Sequence, residues 1–221
     1  MTSYFVTGTG TEVGKTYVTA GLIRAGRDLK RDFAAIKPIT TGYDSDTSPE
    51  SDPVKLLGAM GRPVNPRNIA TISPWRFSAP MSPDMAAIRE SRHVLFDDLV
   101  TFCQAAISAA PGTLLIEGVG GVGVPINDTH LVTDWIAALK LPVILVAGTY
   151  LGTISHTITA GAFLSAQGVR VEAVVLSESL DSPVLAEETA STLERFISCP
   201  IHIIPRDFDD GSFKRLAATL K

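Results

Sequence analysis

With 221 residues, 45% of them apolar and 19% charged, the chain has a globular composition and the length for one α/β domain spanning 1–221. A net charge of −4, with neither basic runs nor aromatic-basic interleaving, argues against nucleic acid and anionic membranes as partners. No apolar run is long enough to span a membrane, and the N-terminus enters a strand at once without room for a secretory signal, so a cytoplasmic protein is expected. Cys103 and Cys199 have no metal or redox spacing, and His93, His130, His156 and His202 are too scattered for a zinc site.

The first predicted element is a strand, Tyr4–Gly8. It runs into a glycine-rich loop closing on Gly14-Lys15-Thr16, and Val18, Leu22 and Ala25 then mark a helix over Lys15–Arg27. Strand, loop and helix in this order make a phosphate-binding loop: backbone N–H groups and a helix N-terminus converge on an anion, Lys15 reaches the terminal phosphates, and the Thr16 hydroxyl can sit on Mg²⁺. Five residues separate Gly8 from Gly14, one more than in the standard pattern.

Further strands are predicted at Phe33–Pro38, Thr113–Glu117, Pro142–Ala147, Val171–Ser177 and Ile201–Ile204. Helices are predicted at Leu95–Ala109, Leu131–Leu139, Ile154–Gln167, Pro183–Ile197 and Ser212–Leu220. The alternation predicts a doubly wound, mostly parallel sheet in a three-layer architecture, and the continuously apolar run at 142–147 predicts a strand buried on both faces. Thr40–Pro83, rich in Pro, Ser and Asp, reads as loops with one short helix near Pro53–Met60.

Ligands of such a sheet collect at the C-terminal ends of its strands. Glu117 follows an apolar strand and precedes a glycine-rich stretch, which suits a second metal contact; Gly118, Val119 and Gly120 would let backbone approach a phosphate. Asp52 can cap a helix beginning at Pro53 or present its carboxylate to Mg²⁺. Lys37 can snorkel to solvent or serve as a second cation for a phosphoryl group or an anionic substrate. Thr41 suits a substrate contact or a turn. Thr153 or Ser155 can cap the helix they open, and the N–H groups of Gly152, Thr153, Ile154 and Ser155 can instead hold a carboxylate.

The segments GTGTEVGKT (Gly8–Thr16), IKPITTG (Ile36–Gly42), ESD (Glu50–Asp52), IEGVGGVGVPI (Ile116–Ile126) and PVILVAGTYLGTISH (Pro142–His156) together resemble the dethiobiotin synthetases, a family with a P-loop NTPase-like fold. The five-residue glycine spacing is the rule there. The resemblance covers most of the chain and is strongest up to His156. It implies an ATP-dependent cyclo-ligase in biotin biosynthesis that carboxylates 7,8-diaminopelargonic acid with CO₂ or bicarbonate. The implied route passes through a carbamate and a carbamic-phosphoric anhydride before ring closure releases phosphate.

The same resemblance implies roles residue by residue. Thr11, Glu12, Val13, Gly14, Lys15, Thr16 and Tyr17 would hold the nucleotide phosphates. Thr16, Asp52 and Glu117 would be the ligands of Mg²⁺. Lys15 and Lys37 would be catalytic, with Lys37 and Thr41 meeting the carbamate. Gly152–Ser155 would hold the substrate's distant carboxylate across a homodimer interface.

Three positions depart from the family pattern. Gly10 stands where an acid is common, Ser177 where an asparagine reads the adenine edge, and Glu178 where an aspartate is usual. A serine lacks the paired donor and acceptor of an amide, so base preference is open, with backbone at Pro205, Arg206 and Asp207 as an alternative reader. Rival readings are a partner-regulated switch ATPase of the partition-protein type and a regulatory or amidoligase-like nucleotide-binding domain. Against the first, the loop has no lysine before Lys15; against the second, the chain ends without a further domain.

Overall fold

The computed structural model describes residues 2–44 and 50–220. Its first half contains β1 (Tyr4–Gly8), α1 (Lys15–Asp28), β2 (Phe33–Ile36), β3 (Ile39–Thr41), α2 (Asp52–Ala59), α3 (Pro66–Ile72), β4 (Trp75–Phe77), α4 (Pro83–Arg89) and α5 (Phe96–Ala109). There follow β5 (Thr113–Glu117), α6 (Val132–Leu139), β6 (Val143–Ala147), α7 (Thr153–Ala166), β7 (Val171–Ser177), α8 (Ala186–Leu193), β8 (Ile201–Ile204) and α9 (Asp210–Thr219).

Six strands form a parallel sheet of order β2-β5-β1-β6-β7-β8. The chain leaves β1 toward the β2 edge, then from β5 onward works toward β8. Right-handed crossovers therefore put α1 on one face and α6, α7 and α8 on the other. The packing agrees: α2 and α9 lie against α1, α5 against α6, and α7 against α8. This is the doubly wound, mostly parallel fold expected, and the reversal of direction at β1 opens a crevice at its C-terminal end.

The register positions the chemistry. Val6 pairs with Glu117, and Gly8 pairs with Val146, so the first strand's exit into its loop is flanked by the ends of β5 and β6. β1, β5 and β6 are buried throughout. Phe5 and Trp135 meet edge to face at 4.7 Å between the sheet and α6. On the other face a Cβ at Gly21 would lie 2.1 Å from the Phe213 ring, so glycine is what lets α1 and α9 approach. Cys103 is buried in α5, and burial pushes its thiol up to about 12. No described helix is long and apolar enough to cross a membrane.

Three expectations need correction. β2 ends at Ile36 because Lys37 N donates to Ile72 O (2.9 Å), outside the sheet, and Pro38 has no N–H to give. The insertion holds more than one short helix: β3 and β4 form a separate two-stranded parallel sheet, and α3 joins α2; residues 45–49 of this stretch lie outside the described residues. The helix expected over Pro183–Ile197 is only Ala186–Leu193. Past it, Arg195 N and Phe196 N donate three residues back, to Thr192 O and Leu193 O, so the last turn tightens and the α-helix stops.

Candidate active site

The loop after β1 is built around a few backbone conformations. Gly14 caps α1 with φ +93°, and a Cβ there would lie 2.4 Å from the Ser177 hydroxyl. Glu12 is exposed and also adopts a left-handed conformation, at φ 59°. Gly10, by contrast, has open space around a built Cβ, so glycine is not required there. The two glycines should therefore respond differently. Gly14→Ala is expected to cost about 1–3 kcal/mol of stability and to weaken nucleotide binding. Gly10→Ala should stay within about 0.5 kcal/mol of the parent in denaturant melts.

Lys15 opens α1 in a buried position, and its ammonium donates to Gly10 O at 2.6 Å, folding the loop over its own side chain. Burial, then the Lys37 ammonium, pull its pKa down from 10.5 to about 8, with Glu117 and Asp52 opposing. A bound triphosphate favours the charged amine, so nucleotide binding takes up a proton wherever free Lys15 has lost its own. Affinity should hold below pH 8 and fall above it, by up to about tenfold per pH unit. Calorimetric titration of the nucleotide from pH 6.5 to 9.5 checks this.

The floor of the site is a charge cluster. Lys37 Nζ donates to Glu117 Oε1 at 2.7 Å and to Gly118 O at 3.0 Å, and lies 3.1 Å from Asp52 Oδ2. The Thr16 hydroxyl donates to the same Glu117 oxygen at 2.6 Å. Lys37 is 3% exposed and Glu117 fully buried, whereas the Asp52 side chain keeps 37% of its surface. Lys37 therefore does not snorkel. Burial works against its charge, but Glu117 and Asp52 outweigh that and raise its pKa. Burial likewise works against the Asp52 carboxylate, but the Lys37 ammonium beside it holds its pKa low.

Asp52 is the first residue of α2, not its cap: the cap position is Ser51, whose side chain makes no capping bond, and Pro53 stands in the first turn. That frees the Asp52 carboxylate to face Lys37. At α7 neither Thr153 nor Ser155 caps; Gly152 does, at φ +98°, and the Thr153 hydroxyl donates to Gly148 O at 2.6 Å.

These groups line, or underlie, a cleft of about 890 Å³. Thr11, Glu12, Gly14, Lys15, Thr16 and Tyr17 form its phosphate-loop wall, Val119 and Gly120 flank it, and Lys37, Thr41 and Asp52 reach it from the second strand and the insertion. Val13 is buried beneath the loop, and Glu117 is reached through Thr16 and Lys37. Ser177 is buried against Gly14. Glu178 accepts from Arg206 N at 3.1 Å, and the Tyr17 hydroxyl donates to Pro205 O at 3.0 Å, so this group with Asp207 adjoins the cleft's Tyr17 end without lining it. Gly152–Ser155 do not line the cleft. Sequence reasoning missed Arg24 and Lys55, which do. The signal for Arg24 was its helical spacing from Tyr17 and Ala20.

The donor set suits Mg²⁺. Glu117 Oε2 is buried with no hydrogen-bond partner, an orphaned lone-pair site beside the Thr16 hydroxyl and Asp52. Among the described residues no cluster of three or more His, Cys, Asp and Glu could hold a metal alone. Two carboxylates and a hydroxyl are what Mg²⁺ takes when phosphates and water complete its shell.

Residues 2–205 match the family described as AAA domain. Over 89% of its length the chain is 51% identical to the ATP-dependent dethiobiotin synthetase BioD of Acidiphilium cryptum, and it covers 89% of that protein. The chain belongs to the dethiobiotin synthetase family. Against the family member from Methylobacterium nodulans identity is 44%, with 93% of this chain and 94% of that one aligned. The family's fold is shared more widely. A ParA family ATPase from Chlorobium tepidum superimposes with a TM-score of 0.55 over all of this chain and 92% of its own, at 14% identity. The cell division ATPase MinD of Pyrococcus furiosus gives 0.54 over all of this chain and 98% of its own, at 14% identity.

Proposed function

We propose that this chain, as one catalytic domain, uses ATP to join CO₂ to 7,8-diaminopelargonic acid and closes the ureido ring of dethiobiotin. The observation that carries this reading is one cleft in which a phosphate loop, two lysines and two carboxylates converge, in a chain 51% identical to a dethiobiotin synthetase.

The chemistry runs in three bond-forming steps. One substrate amine attacks CO₂, forming N–C and giving up a proton, which leaves a carbamate. A carbamate oxygen attacks the γ-phosphorus as the bond to the β-phosphate oxygen breaks, giving a carbamic-phosphoric anhydride and ADP. The second amine attacks the carbonyl carbon, forming the ring as the C–O bond breaks; phosphate departs and takes up the proton the amine gives up. The second step brings two anions together, and Lys15 and Lys37 are the groups able to neutralise them, one from the loop and one from the end of β2. Backbone N–H groups from Thr11 to Tyr17 would hold the triphosphate, with Val119 and Gly120 beside it; Gly118, also expected there, is buried behind them with its carbonyl bound by Lys37. Thr16, Asp52 and Glu117 would hold Mg²⁺, which when bound supplies further positive charge to the phosphates. Thr41 would meet the carbamate.

For the base, Tyr17 already ties Pro205 and Arg206 to α1, and Ser177, Glu178 and Asp207 would complete its surroundings. We further propose a homodimer in the cytoplasm. The start of α7, Gly152–Ser155, would hold the substrate carboxylate of the other copy, and beside it Leu151 is 85% exposed, an apolar side chain suited to a covered surface.

The test measures phosphate release with MgATP and bicarbonate, with and without the diamine, together with product mass. Diamine-dependent release with the mass of a cyclic urea supports the proposal. Release indifferent to the diamine refutes it and favours a switch ATPase of the partition-protein type.

A further inference from the structure

We propose that Lys37 is a built-in counter-ion of Asp52 and Glu117, and that a divalent cation binding at those carboxylates displaces it into the cleft, so that cation binding is what presents Lys37 to substrate. The inference rests on the reading of Thr16, Asp52 and Glu117 as the cation's ligands.

An ammonium group has three N–H donors. Those of Lys37 have three acceptors in reach: Glu117 Oε1 at 2.7 Å, Gly118 O at 3.0 Å and Asp52 Oδ2 at 3.1 Å. The side chain is 4% exposed. In this arrangement Lys37 has no donor left for an anion in the cleft, although it lines that cleft. To neutralise a carbamate or a transferring phosphoryl group it must let go of at least one carboxylate.

The carboxylates give the reason to let go. Asp52 and Glu117 carry two negative charges, and Lys37 returns one positive charge. Glu117 Oε2 remains unpartnered, so the cluster still has an open acceptor for a cation. A dication at these oxygens would sit within a few ångströms of the ammonium in a buried setting, where like charges repel strongly. Lys37 is the member free to move: its charge is on a flexible four-carbon stem, whereas Glu117 is fixed by the sheet register and Thr16 by the first turn of α1. The gain is ordering. The second lysine becomes available only once the metal has arrived, which in a phosphate-loop site means with the nucleotide.

Two measurements test this without the diamine, so neither depends on whether ring closure occurs. Mn²⁺ binding, followed by electron paramagnetic resonance without nucleotide, is compared in the parent, Lys37→Arg and Lys37→Met. Lys37→Met, which removes the competing charge, is expected to bind Mn²⁺ at least about tenfold more tightly, and Lys37→Arg to stay near the parent. In the parent protein, Lys37 acetylation by limiting acetic anhydride is quantified by peptide mass spectrometry. The comparison is a non-hydrolysable ATP analogue with chelator against the analogue with Mg²⁺. Acetylation is expected to rise severalfold with Mg²⁺. Equal Mn²⁺ affinity in Lys37→Met and the parent overturns the proposal, as does Lys37 acetylation indifferent to Mg²⁺. The acetylation result decides alone if Lys37→Met does not fold.

Discussion

Lys37→Ala should lower diamine-dependent turnover by about 10²–10³-fold, the usual cost of removing a group that meets charge developing in a transition state. Nucleotide binding should survive, because Lys15 and the loop amides are untouched. The substitution also leaves the fully buried Glu117 with Thr16 as its hydrogen-bond donor and without its paired ammonium. Stripping one partner from a buried ion pair costs about 3–5 kcal/mol, so a lowered melting temperature should accompany the lost rate. Two readouts separate these effects. Equilibrium binding of the ATP analogue reports whether the cleft is intact, and single-turnover phosphate release reports the chemistry. Near-parental turnover in Lys37→Ala would remove Lys37 from the reaction.

Glu117→Gln is expected to raise the Mg²⁺ concentration needed for half-maximal activity by about 10–100-fold, a loss that even an outer-shell partner's removal can produce, and to slow turnover with it. The amide keeps an oxygen for the Thr16 hydroxyl but loses the charge that faces Lys37. The sign of the accompanying stability effect follows from Lys37. Burial lowers its pKa and the two carboxylates raise it above 10.5, so the pair stabilises the fold fully below that pH and loses its contribution as pH rises through the raised value. In Glu117→Gln that contribution should be largely missing from pH 6 to 10, visible as a smaller separation between neutral and alkaline melting temperatures. A Mg²⁺ titration indistinguishable from the parent would exclude Glu117 from the cation's surroundings.

The frame of the molecule was readable from residues alone where one physical cause acts locally. Tyr4–Gly8, Thr113–Glu117, Val171–Ser177 and Ile201–Ile204 have the bounds predicted for them, because short apolar runs closed by polar or glycine positions carry their own signal. The phosphate loop is likewise a contiguous motif. The strands β3 and β4 were not readable: each is three residues long, too short to show alternation, and each exists because the other lies beside it. The same holds for the charge cluster. Lys37 and Glu117 are 80 positions apart, and only the register that sets β5 between β1 and β2 makes them neighbours. From the sequence, Asp52 read more readily as a helix cap than as a metal contact. What decides against that is the helix beginning one residue earlier than predicted, with Ser51 taking the cap position.

The central place of β1 bears on how the protein is made. The strand that carries the phosphate loop leaves the ribosome before both of its neighbours, β5 and β6, so Gly8 cannot be paired until Val146 has been synthesised. At usual elongation rates that wait is on the order of ten seconds, during which an apolar edge has no native partner. Nascent chains stalled before β6 should therefore fail to retain nucleotide and should engage chaperones. Release of the nascent chain from those chaperones should follow the emergence of residues 143–147.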